Sequence, residues 1–384
     1  MCQIAIQAFS CCYERKKKGG ALLTTAKATV LESADKKIGL PLSWKFFLWS
    51  FCVLGLLGRV MPSQNLQDAC ASSSPCIVVD YPTTAQPLNS ELFIQRTTNT
   101  TPPFVVTIYK EGDTVSNFVQ ELNIWEGGLS HVMTTILASK TGVHTIVDFG
   151  THVGWYSLLA ASKGHFSIGI EAMRTNRQAL MSSVRANKGF DQRIFLYATA
   201  LGSDDSPKEL CIKPRSPGNV GNGQISEISS NGSCSESVPV KKLDDIIGNQ
   251  DIIFMKADCE GCEGSAFRGA TRLFKEKPPC SLFIEWVPDM VKEISKVEPR
   301  GVLDMLVQSG YIFYRLHGHL VTGAGLFLEE LKDNFVERLC LNSVDLVLLH
   351  GSQRCYPRDS KELVDVPEKI NKAGRKHPDS AIPQ

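Results

Sequence analysis

The chain has 384 residues, a formal net charge of +1, 43% hydrophobic residues and 21% charged residues. That length holds one large domain with appendages or two modest ones, and the composition excludes a disordered or fibrous chain. The near-zero net charge excludes a global attraction to nucleic acid or membrane surfaces, and no basic-aromatic pattern marks an RNA substrate.

The charge is unevenly placed. Residues 1–45 carry eight Lys/Arg against three acids and run into the uncharged apolar stretch "FFLWSFCVLGLLG", Phe46–Gly58, closed by Arg59. A spanning helix wants about 20 apolar residues, so this run of 13 is short unless Arg59 snorkels and Val60 and Met61 extend it. A signal-anchor with a basic cytosolic tail fits the positive-inside bias. A cleaved signal peptide fits the core length but has too long a leader, and a buried helix is the third reading.

Residues 62–103 are rich in Ser, Thr, Pro, Asn and Gln and resemble a luminal stem. Two glycosylation acceptor triplets follow the apolar run, at Asn99 and Asn231. Of the thirteen cysteines, the nine from Cys70 onward would be luminal, with Cys70–Cys76 a plausible local disulfide and at least one cysteine left over. The expected organisation is a cytosolic tail over 1–45, an anchor over 46–61, a stem over 62–103, a folded domain over 104–356 and a mobile tail over 357–384. Such a protein is a type II membrane glycoprotein of the secretory pathway, Golgi or endoplasmic reticulum.

From residue 104 the pattern becomes regular. "PFVVTIYK" reads as a strand, residues 116–139 as largely helical, and "HTIVDFG" (144–150) as a β-branched strand ending in Asp and Gly. A helix in "WYSLLAASKG", a strand in "FSIGIEA" (166–172), a helix to Asn187 and a strand in "RIFLYATA" (193–200) follow. Residues 202–237 are Gly/Ser/Asn-rich and read as an inserted hairpin and loop. After the helix-like "KKLDDIIG" come the strand "IIFMKAD" (252–258), a helix over 263–275 and the strand "SLFIEW" (281–286). A helix over 300–309 and the strands "YIFYRL" and "VDLVLL" close the domain. Alternating strands and helices give a doubly wound, mostly parallel α/β sheet of seven strands, covered on both faces.

Ligands of such sheets bind beyond the carboxyl ends of the strands, at the switch point of strand order. "VDFGTHVGWYS" is a D-x-G-x-x-x-G turn into a helix, where Gly150 allows a tight turn and Gly154 opens the helix N-terminus. Phosphate-loop and G-x-G-x-x-G motifs are absent. Glu171 ends the next strand about twenty residues on, placed to take ribose hydroxyls. Asp148 and Glu171 together suit a cationic, ribose-bearing ligand without phosphates, which describes S-adenosylmethionine.

"TIVDFGTHVGWYSLLAASKG", "IGIEAMRTNRQALMSSVRAN", "ATALGSDD" and "KADCEGCEGSAFRGATRLF", in this order, resemble the FkbM family of methyltransferases, over roughly residues 116–316. The resemblance implies a class I, Rossmann-like methyltransferase fold, S-adenosylmethionine as donor, and O-methylation of a hydroxyl on a glycan or small molecule. By position, Asp148, Gly150, His152, Gly154 and Glu171 match its donor-binding residues. His152 stands where the family usually has Asn, and Ala172 where Pro often follows the acid.

The same resemblance places Lys256, Asp258, Glu260, Gly261 and Glu263 in the fourth-strand motif. Asp258 or Lys256 would act as base or orient the acceptor. Glu260 and Glu263 would hold the acceptor or cap the helix, with Glu285 a third acid and His317 and His319 on a nearby loop. No metal site is expected. Cys259 and Cys262 lack the two further ligands of a zinc site and read as small packing side chains, a disulfide between them being the alternative. The competing function is a methyltransferase-like binding or cargo-handling module that transfers no methyl group, an idea resting on His152.

Overall fold

The structure is a computed structural model that describes residues 89–214, 218–228, 234, 236–318, 325–352, 355 and 362–374. The basic tail, the anchor run, Cys70–Cys76, Asn231 and His319 lie outside the described residues. Among the described residues no helix is long and apolar enough to cross a membrane.

The chain enters through an antiparallel hairpin, β1 (Phe93–Thr97) and β2 (Val105–Tyr109), with Phe93 opposite Tyr109. The stretch expected to be helical over 116–139 is two helices, α1 (Thr114–Leu122) and α2 (Gly127–Ala138). They separate at Asn123, whose left-handed conformation (φ 54°) closes α1. The first βαβ units follow: β3 (Thr145–Phe149), α3 (Trp155–Ser162), β4 (Phe166–Ile170), α4 (Arg174–Ala186) and β5 (Ile194–Tyr197).

A small sheet is inserted next, from β6 (Ala200–Leu201), β7 (Glu209–Pro214), β8 (Gly223–Ser226) and β9 (Glu236–Lys241), in spatial order β6-β9-β7-β8. The region expected to be a hairpin and loop is thus a four-stranded sheet, and the strand expected over 193–200 divides between the two sheets. The chain returns through α5 (Leu243–Ile247), β10 (Ile252–Ala257), α6 (Glu263–Arg268), α7 (Thr271–Glu276) and β11 (Ser281–Trp286). It ends with α8 (Pro288–Ser295), α9 (Pro299–Gln308), β12 (Tyr311–His317), β13 (Phe327–Glu330), α10 (Phe335–Leu339), β14 (Val344–His350) and α11 (Glu362–Gly374).

The large sheet has eight strands in the order β13-β12-β14-β11-β10-β3-β4-β5. β5, β4, β3, β10 and β11 are mutually parallel, and β14 runs antiparallel between β11 and β12. The seven expected strands are present, and β13 adds a short eighth at the edge. The order reverses between β3 and β10, so the loops after these two strands part and leave a cleft.

Central strands covered on both faces read as continuous apolar runs, and all six residues of β10 are buried. Alternate side chains feed two cores. Phe254 joins Met133, Leu158 and Leu180 on one face, while Met255 joins Phe149, Phe267 and Leu303 on the other.

Both ends of the folded region extend past the expected boundaries of 104 and 356. β1 lies within the supposed stem because β2 needs a partner for one edge. The other edge of β2 docks on α4: Asn187 Oδ1 accepts from the Val105 N–H at 2.8 Å, Asn187 Nδ2 donates to the Val105 carbonyl at 2.7 Å, and Ser183 Oγ accepts from the Thr107 N–H at 2.8 Å. Side chains thereby satisfy a strand edge that would otherwise be buried unpaired. At the other end, Val366 and Ile370 of α11 are fully buried. Asn371 beside them accepts from the Leu328 N–H at 2.6 Å and so shields edge strand β13.

Three disulfides form, Cys211–Cys234, Cys259–Cys262 and Cys280–Cys355, and Cys340 is free among the described cysteines. Cys259 and Cys262 are therefore bonded to each other and not merely packed, their Cα atoms lying 5.4 Å apart, within disulfide reach. Asn99 is exposed.

Ile370→Ala should cost about 2–5 kcal/mol of unfolding free energy in a urea titration, because it empties a filled core position. A mobile tail would give no change.

Candidate functional site

The turn after β3 is held by both neighbouring strands. The Gly150 N–H donates to the Ile170 carbonyl at 3.1 Å, and the Asp258 N–H donates to the Phe149 carbonyl at 3.2 Å. Gly150 has φ 74°, and a Cβ there would lie 1.6 Å from the Asp258 carbonyl oxygen. Only glycine lets the loops after β3 and β10 touch. Gly154, at φ 92°, sits against Leu180 where α3 begins.

Asp148 does not face the cleft. It is fully buried, and Oδ2 accepts from the Ser157 N–H at 3.1 Å and the Ser157 hydroxyl at 2.8 Å, bracing the start of α3. Burial pushes its pKa up to about 6, against the pull of Lys256. Asp148, expected among the donor-binding residues, supports the turn.

Glu171 does face the cleft, at the end of β4. Its Oε2 accepts from the His152 N–H at 2.7 Å and its Oε1 from the Met173 N–H at 2.8 Å, leaving outer lone pairs on both oxygens. Burial raises its pKa, opposed by these N–H groups and by His152.

His152 itself has φ 55°. Asn and His are among the side chains most tolerant of this left-handed region, so His replaces Asn without cost to the backbone. Its Nε2 lies 3.1 Å from Asp113 Oδ1. Burial opposes the imidazolium, but Asp113 outweighs it and the pKa rises. Asp113 also caps α1, accepting from the Ser116 N–H at 2.8 Å. Gly221 of the β7–β8 connection closes over the pair, and its carbonyl accepts from Asn176 Nδ2 at 2.8 Å.

Adjacent registers gather the acids at the other end of the cleft. Asp148 pairs with Lys256 between β3 and β10, and Glu285 pairs with Asp345 between β11 and β14. Lys256 is 4% exposed and its Nζ donates to Asp258 Oδ2 at 2.7 Å. Burial disfavours the ammonium, but Asp258, Asp148 and Glu126 outweigh it and hold Lys256 charged well above its ordinary range. Lys256 thus anchors Asp258.

Asp258 would be raised by burial, yet Lys256 draws it below the usual carboxylate range. The Asp258 charge raises the pKa of Glu285, which stands exposed near the end of β11. Burial lifts Asp345 to about 6. Glu126, just before α2, accepts the Tyr156 hydroxyl, and burial raises it to about 7.

The loop after β10 carries Glu260 in the left-handed region (φ 59°), where its carboxylate accepts from Asn222 Nδ2 of the small sheet. Glu263 does not line the cleft; at 1% exposed, its Oε1 accepts from the Cys259 N–H at 2.8 Å beneath the disulfide loop. Glu263, expected among the catalytic residues, bonds to this loop in the structure. His317 lies outside the cleft, its Nε2 2.7 Å from Glu329. Gly150, His152, Glu171, Lys256, Asp258, Glu260 and Glu285 all line one cleft of about 350 Å³.

Residues 148–313 match the family model described as the methyltransferase FkbM domain. The match runs from Asp148 to Phe313 and takes in the turn, Glu171 and the β10 loop. No curated protein sequence matches the chain. Among solved structures, a precorrin-6Y C5,15-methyltransferase from Geobacter metallireducens GS-15 is 12% identical, with 58% of this chain and 87% of that one covered and a TM-score of 0.30. WbdD is 13% identical over 63% of this chain and 45% of its own, with a TM-score of 0.35. The human methyltransferase 10 domain containing protein is 11% identical over 59% and 82%, with a TM-score of 0.31. Likeness this distant carries no inference about activity.

Four participants lie outside the expected set: Asp113, Glu126, Tyr156 and Asn222. Asp113 had a legible signal, the D-x-x-S cap before α1. Glu126 precedes the matched span and had none.

Glu263 holds its proton more tightly folded (about 7) than unfolded (4.5), and Glu126 acts in the same sense. Their contribution favours folding below pH 4.5 and is lost as pH rises through about 7. Urea titrations should show stability falling from about pH 5 to about pH 8. Glu263→Gln should flatten that fall by up to about 3 kcal/mol; an unchanged slope would refute the assignment.

Proposed function

We propose that the protein is an S-adenosylmethionine-dependent O-methyltransferase acting on a hydroxyl of a glycan or small molecule. The observation that carries this reading is that the FkbM-matched span supplies most of the lining of the cleft at the switch point, with Glu171 presenting free lone pairs into it. The cleft's volume of about 350 Å³ lies in the range of cofactor pockets. Its donor set also fits the group. Glu171 would hold ribose hydroxyls, and the acids around Lys256 favour a sulfonium over a phosphate. When bound, the donor supplies a methyl group on positively charged sulfur, whose departure leaves a neutral thioether.

The chain's own residues then bind and orient. Glu171 holds the turn through the His152 N–H, Gly221 and Asn222 cover the cleft, and Lys256 fixes Asp258 at the acceptor end. Glu260 and Glu285 stand beside it to accept from or donate to acceptor hydroxyls. Calorimetry with S-adenosylmethionine should give saturable binding, with a dissociation constant of roughly 1 µM to 1 mM. Glu171→Gln should weaken it about tenfold, the worth of a hydrogen bond to a charged group. A folded protein that binds no donor would favour the cargo-handling module, the reading to which the His152–Asp113 pair lends support by occupying the loop's polar side chain.

The luminal placement is part of the same proposal. Three disulfides are unusual in a reducing cytosol and support folding in an oxidising compartment, with the membrane anchor supplied by residues 46–61. Peptide mapping without reduction, on protein from its native cell, should recover all three bridges. Free thiols at Cys211, Cys259 and Cys280 would place the domain in the cytosol.

A further inference from the structure

Glu126 occupies a position that only a supported side chain holds. Its φ of 40° is in the left-handed region, a strained conformation for glutamate. Although it stands at the N-cap of α2, its side chain makes no capping hydrogen bond there. The carboxylate turns into the cleft and takes the hydroxyl of Tyr156, which is 3% exposed on α3. The Tyr156 ring lies under the Lys256 ammonium, 5.3 Å from centroid to Nζ. The groups facing Glu126 are Tyr156 from α3, Lys256 and Asp258 from β10 and its loop, and Asp345 from β14.

The other acceptor-side groups are committed. Lys256 and Asp258 are ion-paired at 2.7 Å, Glu260 accepts from Asn222 Nδ2, and the Asp258 charge raises the pKa of Glu285. Glu126 is the carboxylate here whose proton affinity, near 7, is matched to neutral pH, where a general base works best.

We propose that Glu126 takes the acceptor hydroxyl's proton, with Tyr156 as the positioning residue that aims its carboxylate into the cleft. The proposal rests on the methyltransferase reading above. Glu126 gains the proton, and the hydroxyl oxygen uses the released O–H pair in its new bond to the methyl carbon. The C–S pair stays with the donor's sulfur. Protonated Glu126 leaves Lys256 one carboxylate fewer, and the loss of its proton to water restores the site.

The test is a carbon-13 titration of the full chain labelled at glutamate Cδ, run beside calorimetry with S-adenosylmethionine. Two resonances should titrate near 7, those of Glu126 and Glu263, and the Glu126 one should vanish in Glu126→Gln while the other stays. In Tyr156→Phe the Glu126 midpoint should move up, because the lost hydroxyl had favoured the carboxylate. An ordinary carboxylate midpoint for Glu126, or one indifferent to Tyr156→Phe, overturns the proposal. Donor affinity of Glu126→Gln should stay within about threefold of wild type, since the group faces the acceptor. Loss of donor binding in that variant alone makes Glu126 a donor ligand and overturns the proposal, while the methyltransferase reading stands. Absence of binding in the wild type defeats the reading itself, and the proposal falls with it.

Discussion

One buried ammonium sets the electrostatics of the cleft. Lys256 sits at the end of a central strand with all its neighbours buried, a position where a lone charge would be several kcal/mol unfavourable. It is tolerated because the parallel register with β3 puts Asp148 beside it, the chain direction puts Asp258 two residues on, and α2 brings Glu126 to the same point. The acids in turn depend on the lysine. Without it they would face one another in a low-dielectric site, and protons would be taken up to relieve the repulsion. Protons distribute among Glu126, Asp258, Glu285 and Asp345 by burial, by like charge and by ion pairing to that ammonium. The nearest, Asp258, stays ionised, and those against like charge or deep burial are raised.

A second constraint is steric. The loops after β3 and β10 touch at Gly150 and the Asp258 carbonyl with no room for a Cβ, so the donor-side turn and the acceptor-side acids form one rigid piece. Two further clasps close the cleft: Asp113 to His152 from the N-terminal region, and Asn222 to Glu260 from the inserted sheet. Both involve residues in left-handed backbone, where side-chain partners hold a conformation the backbone alone disfavours. The Cys259–Cys262 bridge and the Glu263 carboxylate brace the second clasp from below.

These clasps revise the meaning of several motif residues. Asp148 and Glu263 are parts of the recognisable pattern, yet both are buried and spent on backbone N–H groups, so they shape the site without facing a ligand. Glu171, Lys256, Asp258 and Glu260 do face the cleft. The motif therefore mixes groups that build the loops with groups that the loops present. Spacing alone cannot separate them, because a carboxylate that caps a helix start and one that meets a ligand occupy the same place in the pattern.

Periodicity in the sequence determined the alternation of strand and helix, the doubly covered parallel sheet and the Gly150 turn, since these depend on local patterns of apolar residues and on glycine's freedom at positive φ. Spacing after the Gly150 turn singled out the carboxylate at Glu171, and the resemblance to the FkbM family singled out the acidic frame from Lys256 to Glu263. The tertiary structure alone decided that residues before 104 and after 356 complete the fold: β1 closes one edge of β2, and α11 buries Val366 and Ile370 and bonds to β13, 43 residues earlier in the chain. It alone brought Glu126, Tyr156, Asp113 and Asn222 to the cleft. Their convergence rests on strand register and loop closure between segments separated by up to 130 residues or more, as between Glu126 and Asp258, and no local periodicity encodes that distance.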